Sequence, residues 1–211
     1  LYNNDDQNIS DYVFDEQIQQ LNLDYRRQNE NAFETREVFS DIAGDAKIEF
    51  YLTRIDAEGD STNGITRTFT QNSGFEFIDY EDLALGEITL DKVKKASEGG
   101  VDPWDTNRYL NIWVCNIESG DLGQIMGFTY PPIEINEALN FTSSEAQPNW
   151  NNFNIQVEDS ALQGIVINYT AIGPLNPQAE VDGFNQNDLG RTLVHEVGHF
   201  LGLRHIWGDA I

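Results

Sequence analysis

The sequence predicts an α/β or α+β fold with a mixed sheet, in one domain or at most two. Apolar segments with the alternating or continuous hydrophobicity of strands are interleaved with segments that have helical spacing. The chain has 211 residues, of which 39% are hydrophobic, enough for one sizeable core. No internal repeat interrupts this order, so we treat residues 1–211 as one structural unit.

The first third of the chain is predicted to contain one helix and two strands. Four residues recur at helical spacing and place an amphipathic helix just after Ser10 or Asp11: Phe14, Ile18, Leu21 and Tyr25. Residues 26–46 indicate a loop with a short irregular element. Alternation then predicts a strand with one buried face, formed by Ile48, Phe50 and Leu52, and a second strand at residues 65–70.

The middle of the chain adds three further strands. Residues 86–98 are weakly amphipathic and predict a helix that ends at Gly99 and Gly100. Residues 110–117 are strongly apolar, which favours a central place in the sheet. Residues 123–130 are extended and stop at two prolines, which suits an edge strand. Residues 134–159 are rich in asparagine and predict a surface loop, and residues 164–170 predict the last strand.

The most informative stretch is LGRTLVHEVGHFLGLRHIWGD, from Leu189 to Asp209, because it contains all three histidines of the chain. His195 and His199 are four residues apart, so on a helix both rings leave the same face. Gly202 can adopt a left-handed conformation and end that helix, which would let the chain turn back and present His205. Three neutral imidazoles leave one position of a tetrahedral Zn²⁺ open, as in catalytic sites.

Glu196 lies between the first two histidines, where its carboxylate can reach a metal-bound water and act as a general base. The alternative is an amphipathic core helix whose histidines fall at this spacing by chance. The absence of histidine elsewhere in the sequence argues against that alternative. Asn187 or Asp188 is the expected helix cap, and Gly190 and Gly198 suggest close approach by neighbouring backbone. The expected buried stripe consists of Leu189, Leu193, Val197 and Phe200.

The pattern HExxHxxGxxH resembles that of the metzincin metallopeptidases, and the run HEVGHFLGLRHIWGD is most similar to the pappalysin group. Bacterial members of that group are secreted endopeptidases. Three upstream segments resemble the same group in the same order: DPWDTNRYLNIWVCNI, LGQIMGFTYPP and GIVINYTAIG. The resemblance implies a metzincin-like twisted mixed sheet, a backing helix, an active-site helix that binds zinc, and protein or peptide substrates.

The resemblance also implies that an extended substrate lies antiparallel to an edge strand above the cleft. By position, that strand comprises Gly123, Gln124, Ile125, Met126, Gly127, Phe128, Thr129 and Tyr130. Its outward N–H and C=O groups would bind the main chain of a peptide, whatever the side chains of that peptide. The alternative interpretation of this segment is an ordinary protected edge.

Two other functions fit the same ligands. One is a zinc-binding or adhesive module without catalysis, and the other is a zinc hydrolase of a non-peptide bond. Glu196 argues against the first, since a purely structural zinc site needs no base. The ligands alone do not distinguish the second from a peptidase.

The net charge of −24 argues against nucleic acid and anionic membrane surfaces as partners, because both would repel the chain. The acidic residues are candidates for binding Ca²⁺ or basic substrates. They are dispersed and form no EF-hand loop, which favours a solvated acidic surface. The sequence contains no apolar run long enough for a membrane span. The single cysteine, Cys115, excludes an internal disulfide and a cysteine-ligated zinc, and is predicted to be a buried strand residue.

Metzincins carry a methionine-containing turn after the third histidine. The only methionine here, Met126, precedes the histidine motif, and six residues follow His205. We therefore expect the C-terminal subdomain, with that turn and the substrate pocket, to be largely absent from this sequence or to be contributed by a separate chain. The opening LYNN resembles the tail of a first strand. A secreted location and a zymogen form complete these expectations.

Overall fold

The computed structural model describes residues 1–78, 88–120, 125–130, 132, 159–179, 189–203 and 205. Within these residues lie two α-helices, α1 (Asp11–Tyr25) and α2 (Arg191–Phe200). The strands are β1 (Phe75–Glu76), β2 (Ile112–Cys115), β3 (Ile117–Glu118), β4 (Gly127–Tyr130) and β5 (Gly164–Asn168). Short 3₁₀ helices span Asp5–Gln7, Ala32–Glu34, Glu37–Phe39, Thr89–Lys94, Ala96–Glu98 and Ser160–Leu162.

The predicted mixed sheet is confirmed. Its three strands have the order β2–β5–β4, with β2 parallel and β4 antiparallel to β5. Strands β1 and β3 form a separate parallel pair. All five residues of β5 are buried, as expected for a strand covered on both faces.

Alternation along β5 divides the core into two layers. Ile165 and Ile167 belong to the cluster that α1 and α2 bury, whereas Val166 belongs to the opposite cluster. The helices contribute four fully buried side chains to the first layer: Val13, Leu21, Leu193 and Val197. Both helices therefore cover one face of the sheet, and the 3₁₀ helix Thr89–Lys94 covers the other.

Several predicted elements are confirmed. Helix α1 begins directly after Ser10 and ends at Tyr25, and residues 26–46 contain two short 3₁₀ helices. The strand predicted at residues 164–170 is present and ends at Asn168. Cys115 is buried in β2, and burial raises the pKa of its thiol to about 12, which makes it unreactive. Neither helix is long and apolar enough to cross a membrane.

The strand predicted at Ile48, Phe50 and Leu52 is wrong, although these three side chains are less exposed than the two residues between them. Its hydrogen bonds are made elsewhere. The side chain of Asn22 on α1 accepts from the Phe50 N–H at 2.7 Å and donates to the Phe50 carbonyl at 3.0 Å. A side-chain amide thus occupies the backbone groups that a neighbouring strand would have used.

Two other strand predictions also need correction. Residues 65–70 form no strand, because this segment contributes only a single bridge, from Phe69 to Tyr2, near the start of the chain. The segment 110–117 does contain β2, but β2 lies beside β5 in the three-stranded sheet and not at its centre. The central place belongs to β5, which pairs on both sides.

The remaining predictions differ in length or in helix type. Residues 89–98 form two 3₁₀ helices where an α-helix was expected, and residues 86–87 lie outside the described part of the chain. The second 3₁₀ helix ends at Gly99, whose φ of 84° is left-handed. The predicted asparagine-rich loop falls on residues 134–159, of which only 159 is described.

A buried ion pair connects the 3₁₀ layer to β4. The ammonium of Lys94 is fully buried, lies 2.9 Å from the Asp91 carboxylate, and donates to the Leu162 carbonyl at 2.8 Å. It also lies 4.3 Å from the centre of the Tyr130 ring, whose hydroxyl donates to Asp91 at 3.0 Å. Burial lowers the pKa of Lys94, and Asp91 opposes that shift. Asp91 is therefore the group that makes a charged lysine tolerable here.

We predict that Asp91→Ala destabilises the chain by about 3–5 kcal/mol, because it leaves a buried ammonium without its counter-ion. Urea unfolding measures the effect. The double variant Asp91→Ala, Lys94→Met should recover most of the loss, since it removes the orphaned charge as well. Asp45→Ala, which breaks the exposed pair with Arg26, is the matched control and should change little. Equal effects of Asp91→Ala and Asp45→Ala would contradict the prediction.

Candidate metal centre

Helix α2 presents two of the three candidate ligands, and a glycine turn presents the third. The turn has the Schellman arrangement: the Gly202 N–H donates to the His199 carbonyl at 2.9 Å and the Leu203 N–H to the Gly198 carbonyl at 2.8 Å. Gly202 has a φ of 88°, which confirms its predicted left-handed conformation. The chain therefore reverses after α2 and brings His205 back over the helix.

The Nε2 atoms of the three rings converge. The Nε2 of His195 lies 2.9 Å from that of His199, and the Nε2 of His205 lies 3.2 Å from each of them. Tetrahedral zinc bonded at about 2.0–2.1 Å would hold three nitrogens roughly 3.3–3.4 Å apart. Among the residues described, these histidines are the one group whose potential ligand atoms converge in this way. The donor set and its spacing fit a zinc ion.

A backbone contact determines the tautomer of His199. Its Nδ1 lies 2.8 Å from the Leu203 carbonyl oxygen, which can only accept a hydrogen bond. Nδ1 therefore carries the proton of the neutral ring, and Nε2 presents its lone pair towards the other two histidines. This is the usual outer contact of a histidine that binds a metal.

Glu196 is buried on α2, 7% exposed, against strand β4. The hydroxyl of Thr129 donates to its Oε2 at 2.6 Å. Burial raises the pKa of Glu196, while the hydrogen bond from Thr129 and the two histidines His199 and His205 lower it. Desolvation is the largest of these effects, so the net shift of the Glu196 pKa is upwards.

Helix α1 supports the beginning of α2. The buried amide of Gln17 donates to the Gly190 carbonyl at 3.0 Å and accepts from the Gly173 N–H at 2.7 Å. The Tyr25 hydroxyl donates to the Val194 carbonyl at 3.2 Å. These contacts tie α2 to a neighbouring helix and to the segment after β5, so its histidines are presented by a fixed scaffold.

The start of α2 differs from the prediction. Asn187 and Asp188 lie outside the described residues, and the residue that caps the helix is Gly190, in a left-handed conformation with a φ of 64°. A side chain at Gly190 would lie 2.8 Å from the ring of Pro174, which confirms close approach there. A Cβ at Gly198 would lie 3.6 Å from its nearest neighbours, an ordinary van der Waals contact. The predicted close approach of neighbouring backbone at Gly198 is therefore wrong.

The predicted apolar stripe is confirmed at its centre. Leu193 and Val197 are fully buried, and Phe200 packs against the same cluster while remaining partly exposed. Leu189 precedes α2 and is 50% exposed, so it does not belong to the buried stripe. Leu193 and Val197 face the core, whereas His195 lies on the opposite side of the helix and is exposed.

The predicted substrate segment includes β4. Of its eight residues, Gly127, Phe128, Thr129 and Tyr130 form the strand, Ile125 and Met126 precede it, and Gly123 and Gln124 lie outside the described residues. Strand β4 pairs with β5 and has no second neighbour in the described sheet, so its place at the edge is confirmed for that part of the chain. The pairing of a peptide substrate with this edge of β4 stays a prediction.

Sequence analysis missed the contacts that hold Glu196 and α2. The sequence predicts only a backbone role for Thr129, yet its hydroxyl donates to Glu196. No motif points to Gln17, although it is 1% exposed and its amide is hydrogen-bonded through both its nitrogen and its oxygen. A polar residue on the apolar face of a predicted helix was the available signal for Gln17, because buried amides need partners.

The comparisons with known proteins point in one direction. A scan of protein-family profiles and a search of curated proteins found no match. Among solved structures, mirolysin in complex with compound 9 is 40% identical, with a TM-score of 0.73 over 99% of this chain and 62% of that chain. Mature mirolysin from Tannerella forsythia with a cleaved peptide has the same identity and coverage and a TM-score of 0.72.

A mutant of promirolysin from Tannerella forsythia is likewise 40% identical, with a TM-score of 0.71 over 99% of this chain and 55% of that chain. The chain thus spans less than two thirds of each of these mirolysin chains. Mirolysin is a metallopeptidase. Over nearly its whole length, this chain is therefore similar to part of the metallopeptidase mirolysin and shares its fold.

Proposed function

We propose that this chain forms the zinc-binding part of a secreted endopeptidase of the metzincin type, in the pappalysin group. The observation that carries the proposal is the convergence of three imidazole Nε2 atoms within 3.2 Å of one another, with Glu196 on the same helix. The likeness to mirolysin, which has been solved with a cleaved peptide, supports peptide bonds as the substrate. The likeness to promirolysin supports a zymogen form.

His195, His199 and His205 would hold the metal. Bound there, zinc would lower the pKa of a water ligand towards about 7 and polarise the carbonyl of the scissile bond. Glu196 is placed to take a proton from the attacking water at Oε1, because Oε2 accepts the hydrogen bond from Thr129. The same carboxyl then passes the proton to the leaving amine.

The backbone of β4 is oriented to bind an extended peptide. The Asn168 N–H of the neighbouring segment donates to the Met126 carbonyl at 2.9 Å, so bonds to β5 alternate along the strand from that position. Phe128 and Tyr130 therefore direct their backbone groups towards β5, while Gly127 and Thr129 direct theirs to the open edge. We propose that these outward groups pair with the substrate main chain.

We predict that the purified chain retains one zinc ion, because three converging neutral imidazoles form a preorganised site. Elemental analysis measures the content. His205→Ala should lose most of the zinc, whereas Glu196→Ala should retain it, since the glutamate is not a ligand. A chain that neither contains zinc nor takes it up on addition would be inconsistent with the proposal.

We predict that Glu196→Ala in the full-length protein lowers kcat/KM for an unfolded casein by about 10²–10⁴-fold, because proton transfer loses its positioned base. Zinc content should stay close to wild type, and the variant should remain folded at the assay temperature. Cleavage by the full-length wild-type protein should stop on addition of a chelator and return with zinc. Zinc binding without any casein cleavage would favour an adhesive module or a hydrolase of another bond, and undiminished turnover in Glu196→Ala would exclude the assignment of the base.

We predict that a peptide-like inhibitor binds antiparallel to β4 and exchanges hydrogen bonds with Gly127 and Thr129, since their backbone groups face the open edge. A crystal structure of the complex tests this directly. A ligand that reaches the three histidines without contacting β4 would show the predicted placement to be wrong.

A further inference from the structure

We infer that Gly127 and Thr129 together hold the Glu196 carboxylate in place and act as positioning residues for the reaction. This inference rests on the proposed function, because it concerns the residue assigned as general base. The two residues lie two positions apart on β4, so both present the same face of the strand to α2. Thr129 donates a hydrogen bond to the carboxylate, and Gly127 leaves room for the carboxylate because it has no side chain.

The hydrogen bond comes from Thr129. Its hydroxyl oxygen lies 2.6 Å from Oε2 of Glu196 and 3.2 Å from the Glu196 main-chain carbonyl. A hydroxyl has one proton to donate, and the shorter distance is typical of an O–H bond to a carboxylate. The proton therefore goes to Oε2. Because Thr129 is itself buried, 8% exposed, water competes little for this bond.

The space comes from Gly127. A Cβ at this position would lie 2.7 Å from Cγ and 2.9 Å from both Cδ and Oε1 of Glu196. These distances are too short for real contacts, so any side chain at residue 127 would push the glutamate away. Gly127 does not have a left-handed φ. Alanine there would thus act through contact with Glu196 and not through backbone strain.

The arrangement also connects the base to the substrate strand. The same two residues direct their backbone groups to the open edge of β4 and their side-chain positions towards Glu196. A peptide paired with that edge would therefore bind to the same two residues that position the Glu196 carboxylate. General-base catalysis requires this kind of positioning, and small displacements are costly.

The test compares Thr129→Val, which keeps the shape but loses the hydroxyl, with Thr129→Ser, which keeps the hydroxyl. For cleavage of fluorescent casein by the zinc-loaded full-length protein, we expect Thr129→Val to lower kcat about tenfold with KM within about twofold. Thr129→Ser should recover most of that loss. If Thr129→Val keeps wild-type kcat, or if Thr129→Ser loses as much as Thr129→Val, the inference is wrong for this residue.

A second test, of the space that Gly127 leaves for Glu196, uses the variant Gly127→Ala. We expect this variant to lower kcat about a hundredfold. Gly44→Ala is its matched control, since a Cβ there would meet nothing within 4 Å and no left-handed φ is involved. Gly127→Ala should retain zinc and stay folded at the assay temperature, although its unfolding midpoint should fall below that of the control because of the close contact with Glu196. Equal activity of the two alanine variants would contradict the proposed role of Gly127.

A third measurement does not depend on activity. In urea unfolding of the full chain, Thr129→Val should destabilise the wild type more than it destabilises Glu196→Ala, because the bond is already absent in the latter. Additive effects would overturn the inference. If the proposed function failed instead, wild type and Glu196→Ala would both leave casein intact, yet this coupling in stability would persist. The two failures are thereby distinguishable.

Discussion

Three imidazole nitrogens can share one small ion only if each lies about 3.3 Å from the other two, and this requirement governs the architecture around α2. Helical periodicity satisfies it for His195 and His199 without help from the rest of the chain. His205 satisfies it only because the chain reverses at Gly202. The same turn places the Leu203 carbonyl against His199, so one local structure both positions one candidate ligand and orients another.

The position of the three histidines and Glu196 beside β4 depends in addition on a fixed position of α2. Its start is held by Gln17, whose amide is buried and bonded at both ends. Loss of one hydrogen-bond partner of a buried amide lowers the free energy of unfolding by about 1–3 kcal/mol, so these contacts resist displacement of the helix. Both helices pack against the fully buried strand β5. The two candidate ligands on α2 are thus supported by core packing.

Strand β4 serves two requirements through the two periodicities of an extended chain. Its side chains alternate between the faces of the sheet, which brings Gly127 and Thr129 against Glu196 and sends Phe128 and Tyr130 to the opposite layer. Its backbone groups alternate between β5 and the open edge. On the far side, the Lys94–Asp91 pair contacts Tyr130, so the end of the strand is held as well.

Local patterns in the sequence determined the candidate ligands, the glycine turn, helix α1 and the strands β2 and β5. In each of these, residues close in sequence share one face or one turn. Tertiary structure decided the remaining elements. The periodicity of a sequence indicates which side chains are buried, but it does not indicate which group forms hydrogen bonds with the backbone. Residues 48–53 have the alternation of a strand, but Asn22 on α1 occupies the backbone of Phe50. Thr129 and Glu196 are 67 residues apart, so only the packing of β4 on α2 could bring the hydroxyl of one to the carboxylate of the other.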